Sequence, residues 1–288
     1  MRRLSQYGHP KASGETVEVD DGSATMPRET GHAPASRRAR RERPRSQRRS
    51  AAPDQLPPCV GCDFAGQCLL ALGHHDAEAG SHHEVVRRTW SCAAGDVVIR
   101  RGDALREVHV VRTGGVKVFV VASDGREQVL GFHLPGELVG LAAIHLGSHP
   151  GDVVALESTQ FCGLSFEDVL NVSSHEPRVQ QQLLRLMSGE LGRASQLAGD
   201  LNAEERVASF LLDLQRRGSH HRNNDRPLRL TMSRTDMANY LRLAAETVSR
   251  VFSRFRARGW LDVTGRNVRL LDAEALHRVC RNSPGAGS

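Results

Sequence analysis

Between Trp90 and Phe166 the chain alternates short apolar runs with turn residues. The runs are DVVIR, VHVVR, VKVFVVA, EQVLGFHL, DVVALE and FCGLSF, and the breaks fall at Gly102-Asp103, Gly114-Gly115, Asp124-Gly125 and Pro135-Gly136. Glycine supplies positive φ at a turn and proline ends a ladder, so the pattern predicts short strands closed into a sandwich or roll. The interior of such a roll is able to hold a small ligand. From Pro177 the period changes. Proline is preorganised for a first helical turn, and Val179, Leu183, Met187, Leu191, Ala194, Ala198 and Leu201 then recur every three or four residues. That stripe can face its own domain or a partner helix. Gly189, Gly192 and Gly199 each cost a helix about 1 kcal/mol relative to alanine. The helix is therefore marginal by itself, as a switch requires.

Further on, Asn202 with Glu205 forms a capping-box pattern, and ERVASFLLDLQRR is amphipathic as far as Gly218. Ser233 with Asp236 starts a second short helix over TDMANYL, and after a turn at Arg242 to Ala244 comes AAETVSRVFSRFRARG. Two helices with a tight connection predict a helix-turn-helix whose second helix enters the DNA major groove. Val248, Phe252 and Phe255 share one face of it and belong in a core, while Glu246, Ser249 and Arg250 lie on another, near the amino end. Arg donates twice to guanine, Glu accepts from cytosine N4 and Ser serves either role, so this face suits base reading. On an isolated helix the same residues would be an ordinary solvated surface. Ala244 and Ala245 stand where a side-chain N-cap would be expected, a loss of about 0.5–2 kcal/mol. LDVTGRNVRLL then reads as a wing hairpin turning at Gly265 to Asn267, with Arg266 and Arg269 as phosphate contacts.

The 288 residues leave room for two domains and tails, and the net charge of +6 suits a polyanionic partner. Much of that charge is the arginine run RRARRERPRSQRR at 37–49. It stands in a segment with few large apolar residues, so residues 1–50 are expected to be disordered, a solvated block or a non-specific DNA arm. No apolar stretch approaches the roughly 18 residues of a membrane span, so no membrane partner and a cytoplasmic location are expected. Nucleophile elbow, phosphate-binding glycine loop and HExxH are all missing from the sequence, which argues against an enzyme.

Three of the six cysteines, Cys59, Cys62 and Cys68, fall within ten residues in the spacing CxxCxxxxxC. Thiolates are soft donors suited to an iron-sulfur cluster or to zinc, and His74, His75, His82 and His83 keep zinc open. Three ligands leave the set incomplete. Cys162, between apolar residues of a strand-like run, is the candidate fourth, and Cys92 and Cys280 are competitors better explained as small hydrophobes. A disulfide pairing fits a reducing cytosol poorly.

GDVVIRRGD followed by VHVVRTGGVKVFVVASDGREQVLGFHLPGELVG resembles the effector domain of the CRP/FNR regulators, a cyclic-nucleotide-type jelly roll. The cyclic-nucleotide binders of that family carry an arginine for the phosphate in the following turn. Here HPGDVVAL, with acidic Asp152, stands instead, so no cyclic nucleotide is expected. The segment around Cys162 and the ETVSR of the reading helix are similar to the FNR branch. That resemblance implies a 4Fe-4S cluster on Cys59, Cys62, Cys68 and Cys162, and a TTGAT-type half-site read by Glu246, Ser249 and Arg250. It further implies an α+β architecture with residues 1–50 as tail, 51–88 cluster-binding and 89–173 the jelly-roll sensor. Residues 174–201 would be a dimerisation helix, 202–281 a winged helix-turn-helix and 282–288 a flexible tail. A homodimer on double-stranded DNA is implied, with RNA polymerase touched through Ser123 to Glu127 and Gly218 to Arg226. A zinc or thiol switch in place of the cluster is the rival form.

Overall fold

The structure is a computed structural model that describes residues 68–69, 86–218 and 227–281, with Arg87 as backbone only. The arginine-rich tail, Cys59, Cys62, the histidines at 74–83, most of the 218–226 loop and the 282–288 tail lie outside the described residues.

Eight strands come first: β1 Val86–Cys92, β2 Val97–Ile99, β3 Glu107–Thr113, β4 Val116–Val121, β5 Glu127–His133, β6 Leu138–Val139, β7 Asp152–Ala155 and β8 Thr159–Ser165. They form two four-stranded sheets, ordered β1-β8-β3-β6 and β2-β7-β4-β5. Every predicted run is a strand, and the glycine turns explain why. At the β3–β4 turn Gly114 has φ +83°, and a Cβ there would stand 2.5 Å from the Ser158 carbonyl oxygen. Only glycine fits such a position.

The first sheet is buried on both faces, and the period of two divides its side chains. Val111 of β3 and Phe161 of β8 face inward, where they meet Ile99, Val116 and Val153 of the second sheet. Val108 and Val110 of β3, Cys162 and Leu164 of β8, and Leu138 of β6 face outward, against Val169 and Val179. Those last two lie on helices α1 Phe166–His175 and α2 Pro177–Ala198. The sequence pattern had run FCGLSF on as strand and placed the helix later. Instead Ser165 turns the chain, its hydroxyl accepting from the Asp168 amide as the N-cap of α1.

Pro177 opens α2 as expected, but the helix closes at Ala198 with extended Gly199, so Leu201 is off the stripe. Val179 is buried, whereas Leu184, Met187 and Leu191 are 61%, 44% and 69% exposed. The amino end of α2 therefore belongs to the sensor core, and its remainder presents an apolar row outward.

The remaining elements are α3 Ala203–Gly218, β9 Leu228–Arg229, α4 Arg234–Leu241, α5 Ala245–Ala257, β10 Leu261–Thr264, β11 Asn267–Leu270 and α6 Ala273–Arg281. Asn202 and Glu205 make the predicted reciprocal cap, with the Glu205 amide on Asn202 Oδ1 at 3.1 Å and the Asn202 amide on Glu205 Oε2 at 2.8 Å. Leu211, Leu214, Met237, Leu241, Val248, Phe255, Leu261 and Leu276 fill one core, into which Val129, Phe132 and Leu134 of the roll also pack.

Candidate nucleic-acid interface and cysteine site

α4 begins at Ser233 with a complete capping box. The Asp236 amide donates to Ser233 Oγ at 3.0 Å, and the Ser233 amide to Asp236 Oδ2 at 3.2 Å. It ends at Arg242, held in the left-handed region at φ 57°, while the Leu243 amide reaches back to the Ala238 carbonyl at 2.9 Å. This sharp reversal aims α5 across α4. Arg234 braces the pair, its guanidinium 3.6 Å from the centre of the Phe252 ring.

On α5 the amphipathic split is complete: Val248, Val251, Phe252 and Phe255 are buried and Glu246, Ser249 and Arg250 are exposed. Arg250 and Glu246 pair with each other one helical turn apart, and both side chains are more than two-thirds exposed. Such an exposed pair is worth little, so it yields easily to a base or phosphate. Ser249 donates its hydroxyl to the Ala245 carbonyl at 3.0 Å. Ala244 has the extended geometry of an N-cap but no side-chain bond. One turn beyond Arg250, Arg254 and, at the C-cap of α5, Arg258 reach Glu204 of α3 at 3.2 and 3.1 Å. The wing pairs β10 with β11 through a turn at Gly265, φ 61°, and leaves Arg266 and Arg269 exposed.

The described cysteines fall in three places. Half-buried Cys68 packs against the apolar core that contains buried Cys162, together with Leu69, Val110, Leu138 and Leu164. Cys162 sits mid-sheet, opposite Thr89 of β1 and Val110 of β3. Cys92 belongs to the other face, against the roll interior. Burial and the nearby Asp96 carboxylate push its thiol up to about 11, partly offset by its bond to the Thr159 carbonyl. Cys280 lies on α6 beside Ser209 Oγ at 3.2 Å, and burial raises its thiol too. Both thiols stay protonated at neutral pH. Two thiols in one water-poor core suit a soft, sulfur-ligated centre. Among the described residues no group of three or more His, Cys, Asp or Glu side chains assembles a metal site.

At the first residue of β7, just past the Pro150-Gly151 turn, Asp152 is engaged by the backbone, its carboxylate accepting from the Arg101 amide at 2.9 Å. Nearby the interior carries Trp90 stacked on Phe161 at 4.7 Å and buried His109 edge-on to Trp90 at 5.9 Å. A carboxylate at this turn opposes a phosphate. Periodicity did not single out His109, because it read only the apolar neighbours of VHVVR. It also missed the polar contacts that join sensor to reader, since their partners lie more than 70 residues apart.

The geometry can be set beside known proteins. Residues 89–176 match the cyclic nucleotide-binding domain family and 205–279 the Crp-like helix-turn-helix domain family. The transcriptional activator protein FnrA of Stutzerimonas stutzeri is 40% identical over 222 residues, 76% of this chain and 90% of that protein. The fumarate and nitrate reduction regulatory protein of Escherichia coli K12 is 36% identical over 225 residues, 77% and 89% of the two. Among solved structures, FixK2 from Bradyrhizobium japonicum superposes with a TM-score of 0.58 at 30% identity, over 67% of this chain and 96% of that one.

Proposed function

The chain belongs to the FNR branch of the CRP/FNR transcription regulators, and on that premise we propose that it is an oxygen- or redox-responsive one. As a DNA-binding transcription regulator it presents α5 to the major groove. In the finer reading Cys59, Cys62, Cys68 and Cys162 hold a 4Fe-4S cluster that favours a homodimer along α2. The dimer reads a two-fold symmetric TTGAT-type site, with Glu246, Ser249 and Arg250 of each copy on one half. Cyclic nucleotide is not its ligand, and RNA polymerase is its further partner, met partly through the β4–β5 turn at Ser123 to Glu127. It works in the cytoplasm, where thiols stay reduced.

What supports this reading is one shared core. Cys68 and Cys162 pack into the same apolar cluster as Val179 of α2, with Leu183 and Leu186 at its edge. The cluster, when bound, supplies an inorganic centre that oxidants dismantle, with potential and lability set by the surrounding shell. The protein's part is mechanical. Packing of Cys68 and Leu69 onto the sheet orders the face on which the first two turns of α2 rest, and the exposed row Leu184, Met187 and Leu191 then meets its copy.

The test is anaerobic purification, iron and sulfide analysis, and sedimentation with DNA binding before and after air. One four-iron centre per chain, with loss of dimer and DNA affinity on exposure, is expected. Stoichiometric zinc, or iron-free protein that still occupies its site as a pair, overturns the reading.

A further inference from the structure

The sensor and the reader touch through a surface that no DNA- or metal-contacting role explains. Its centre is Arg217, on the last turn of α3, with a side chain only 9% exposed. Arg217 grips Glu137 at two points, Nε to Oε1 and Nη2 to Oε2, both at 2.6 Å. The same Nη2 reaches the Phe132 carbonyl at 2.5 Å, and Nη1 reaches Asp213 at 3.2 Å. Burial alone would push the Glu137 carboxyl up, but the Arg217 bonds and charge outweigh it and hold the carboxyl below its ordinary range. Flanking contacts are few and oriented. Asn239 of α4 takes the Val129 amide at 2.7 Å and gives to the Glu127 carbonyl at 2.6 Å, while Lys117 of β4 reaches Asp236 at 2.8 Å. Phe132, Phe210 and Tyr240 fill the space between.

Glu137 is rigidly mounted. Its carbonyl accepts from the Val111 amide of β3 at 3.0 Å, and its carboxylate also accepts from the Leu134 amide at 2.8 Å. The next residue, Leu138, packs into the core that contains Cys162. Two consecutive residues thus face the cysteine core and the reader.

We propose that the Glu137–Arg217 pair is the joint that fixes the reader's angle on the sensor, and so sets the spacing at which two copies engage DNA. Apolar contact is non-directional and specifies an angle only through the shapes that pack. A planar bidentate pair fixes an angle. Half-site spacing is a geometric property of a dimer, and it is sharp only if each reader is held at one angle. In this arrangement Glu246, Ser249 and Arg250 remain exposed, so the joint holds the reader with its reading face open. Glu137 and Arg217 are positioning residues here. The proposal rests on the dimeric DNA reading above and not on the identity of the cofactor.

The experiment uses the full chain purified without air, and a series of duplexes carrying two TTGAT-type halves separated by increasing spacers. Wild type should prefer one spacing by about tenfold or more in affinity over its neighbours, in keeping with a charged bidentate contact. Arg217→Lys keeps the charge but loses the fork. Glu137→Gln combined with Arg217→Met removes both charges and avoids leaving one buried alone. Both variants should flatten the spacing preference while dimer mass, iron content and affinity for a single half-site stay at the wild-type level. A folded dimer of the double variant that keeps the full spacing preference overturns the joint. A wild type that binds every spacing equally overturns instead the dimeric reading beneath it.

Discussion

The reader and the sensor carry their chemistry in opposite ways. Glu246, Ser249 and Arg250 stand within five residues on one helix, whose opposite face, Val248, Phe252 and Phe255, anchors it. Cys68 and Cys162 are 94 positions apart and come together only because Cys68 and Leu69 share one apolar core with β8. A site on one rigid helix keeps its geometry whatever happens elsewhere. One gathered from distant segments exists only while those segments stay together, and that dependence suits it to report a change. The contrast also places the two cores differently. The reader's is built mainly from helices and a hairpin close in sequence, with Val129, Phe132 and Leu134 of the roll added at its edge, whereas the sensor's outer core borrows Val179 from the helix that leads to the reader.

Breaking the sensor should have the largest effect. Cys162→Ala removes a candidate ligand from the sheet while keeping a small apolar side chain, so the roll should still fold. Iron and sulfide should fall to background, with loss of the dimer and of specific DNA binding. Cys92→Ala, in the inner core with its protonated thiol, should leave all of these at wild-type values. Equal losses in the two variants would mean that Cys162 acts by packing alone.

Breaking the reader comes next. Arg250→Ala should weaken binding by about 1–3 kcal/mol per half-site and relax specificity at one base position, with iron content and dimer mass unchanged. Competition binding against single-base variants of the site measures it. The partner of Arg250 in the free protein is Glu246. A Glu246→Gln change should therefore alter base preference more than affinity.

Much of the reader was legible because its signals are local: a capping box, a tight turn and a face count within one stretch of chain. The roll's strands were legible from the glycines that end them, of which Gly114 is the clearest, with no space for a side chain. Helix α1 was not, because Phe166 continues the apolar run of β8 and hides the Ser165 cap. The Glu137–Arg217 pair could not be read at all. It joins residues 80 apart, and each is an ordinary charged residue in its own segment. The cysteine set was legible as a spacing, but only the fold puts Cys162 on the outer face and Cys92 on the inner one.

A smaller effect separates the two faces of the sensor sheet. His109 is buried in the inner core, edge-on to Trp90 and Phe161, and burial holds its ring down to about 4, with Glu107 opposing and Arg88 and His149 adding to the fall. Above about pH 6.5 the ring is neutral whether folded or not. As the pH drops from there towards about 4 the unfolded chain takes up a proton that the buried ring refuses, so stability is lost in that window. The loss is on the order of 2–3 kcal/mol for this ring. Burial lowers His149 and His133 in the same sense. Urea unfolding of the full chain at pH 7.5 and pH 5 should show the drop, and His109→Leu should reduce it, leaving the part that His149 and His133 contribute. The same variant should leave DNA affinity at pH 7.5 unchanged.

The smallest effect sharpens the reader. Ala244 sits at φ −72° and ψ 144°, the extended geometry of an N-cap, but has no oxygen to accept from the first turn of α5. Ala244→Ser supplies that oxygen without asking the backbone to move, and should stabilise the reader by about 1 kcal/mol. Calorimetry of the full chain would register it as a rise of a few degrees in the reader's transition. Because the added bond lies along the helix axis and the base-reading side chains keep their rotamers, relative affinities among single-base variants should not change. A shift in that ranking would mean that the cap position itself touches DNA, and that the absence of a capping side chain there serves recognition at the expense of stability.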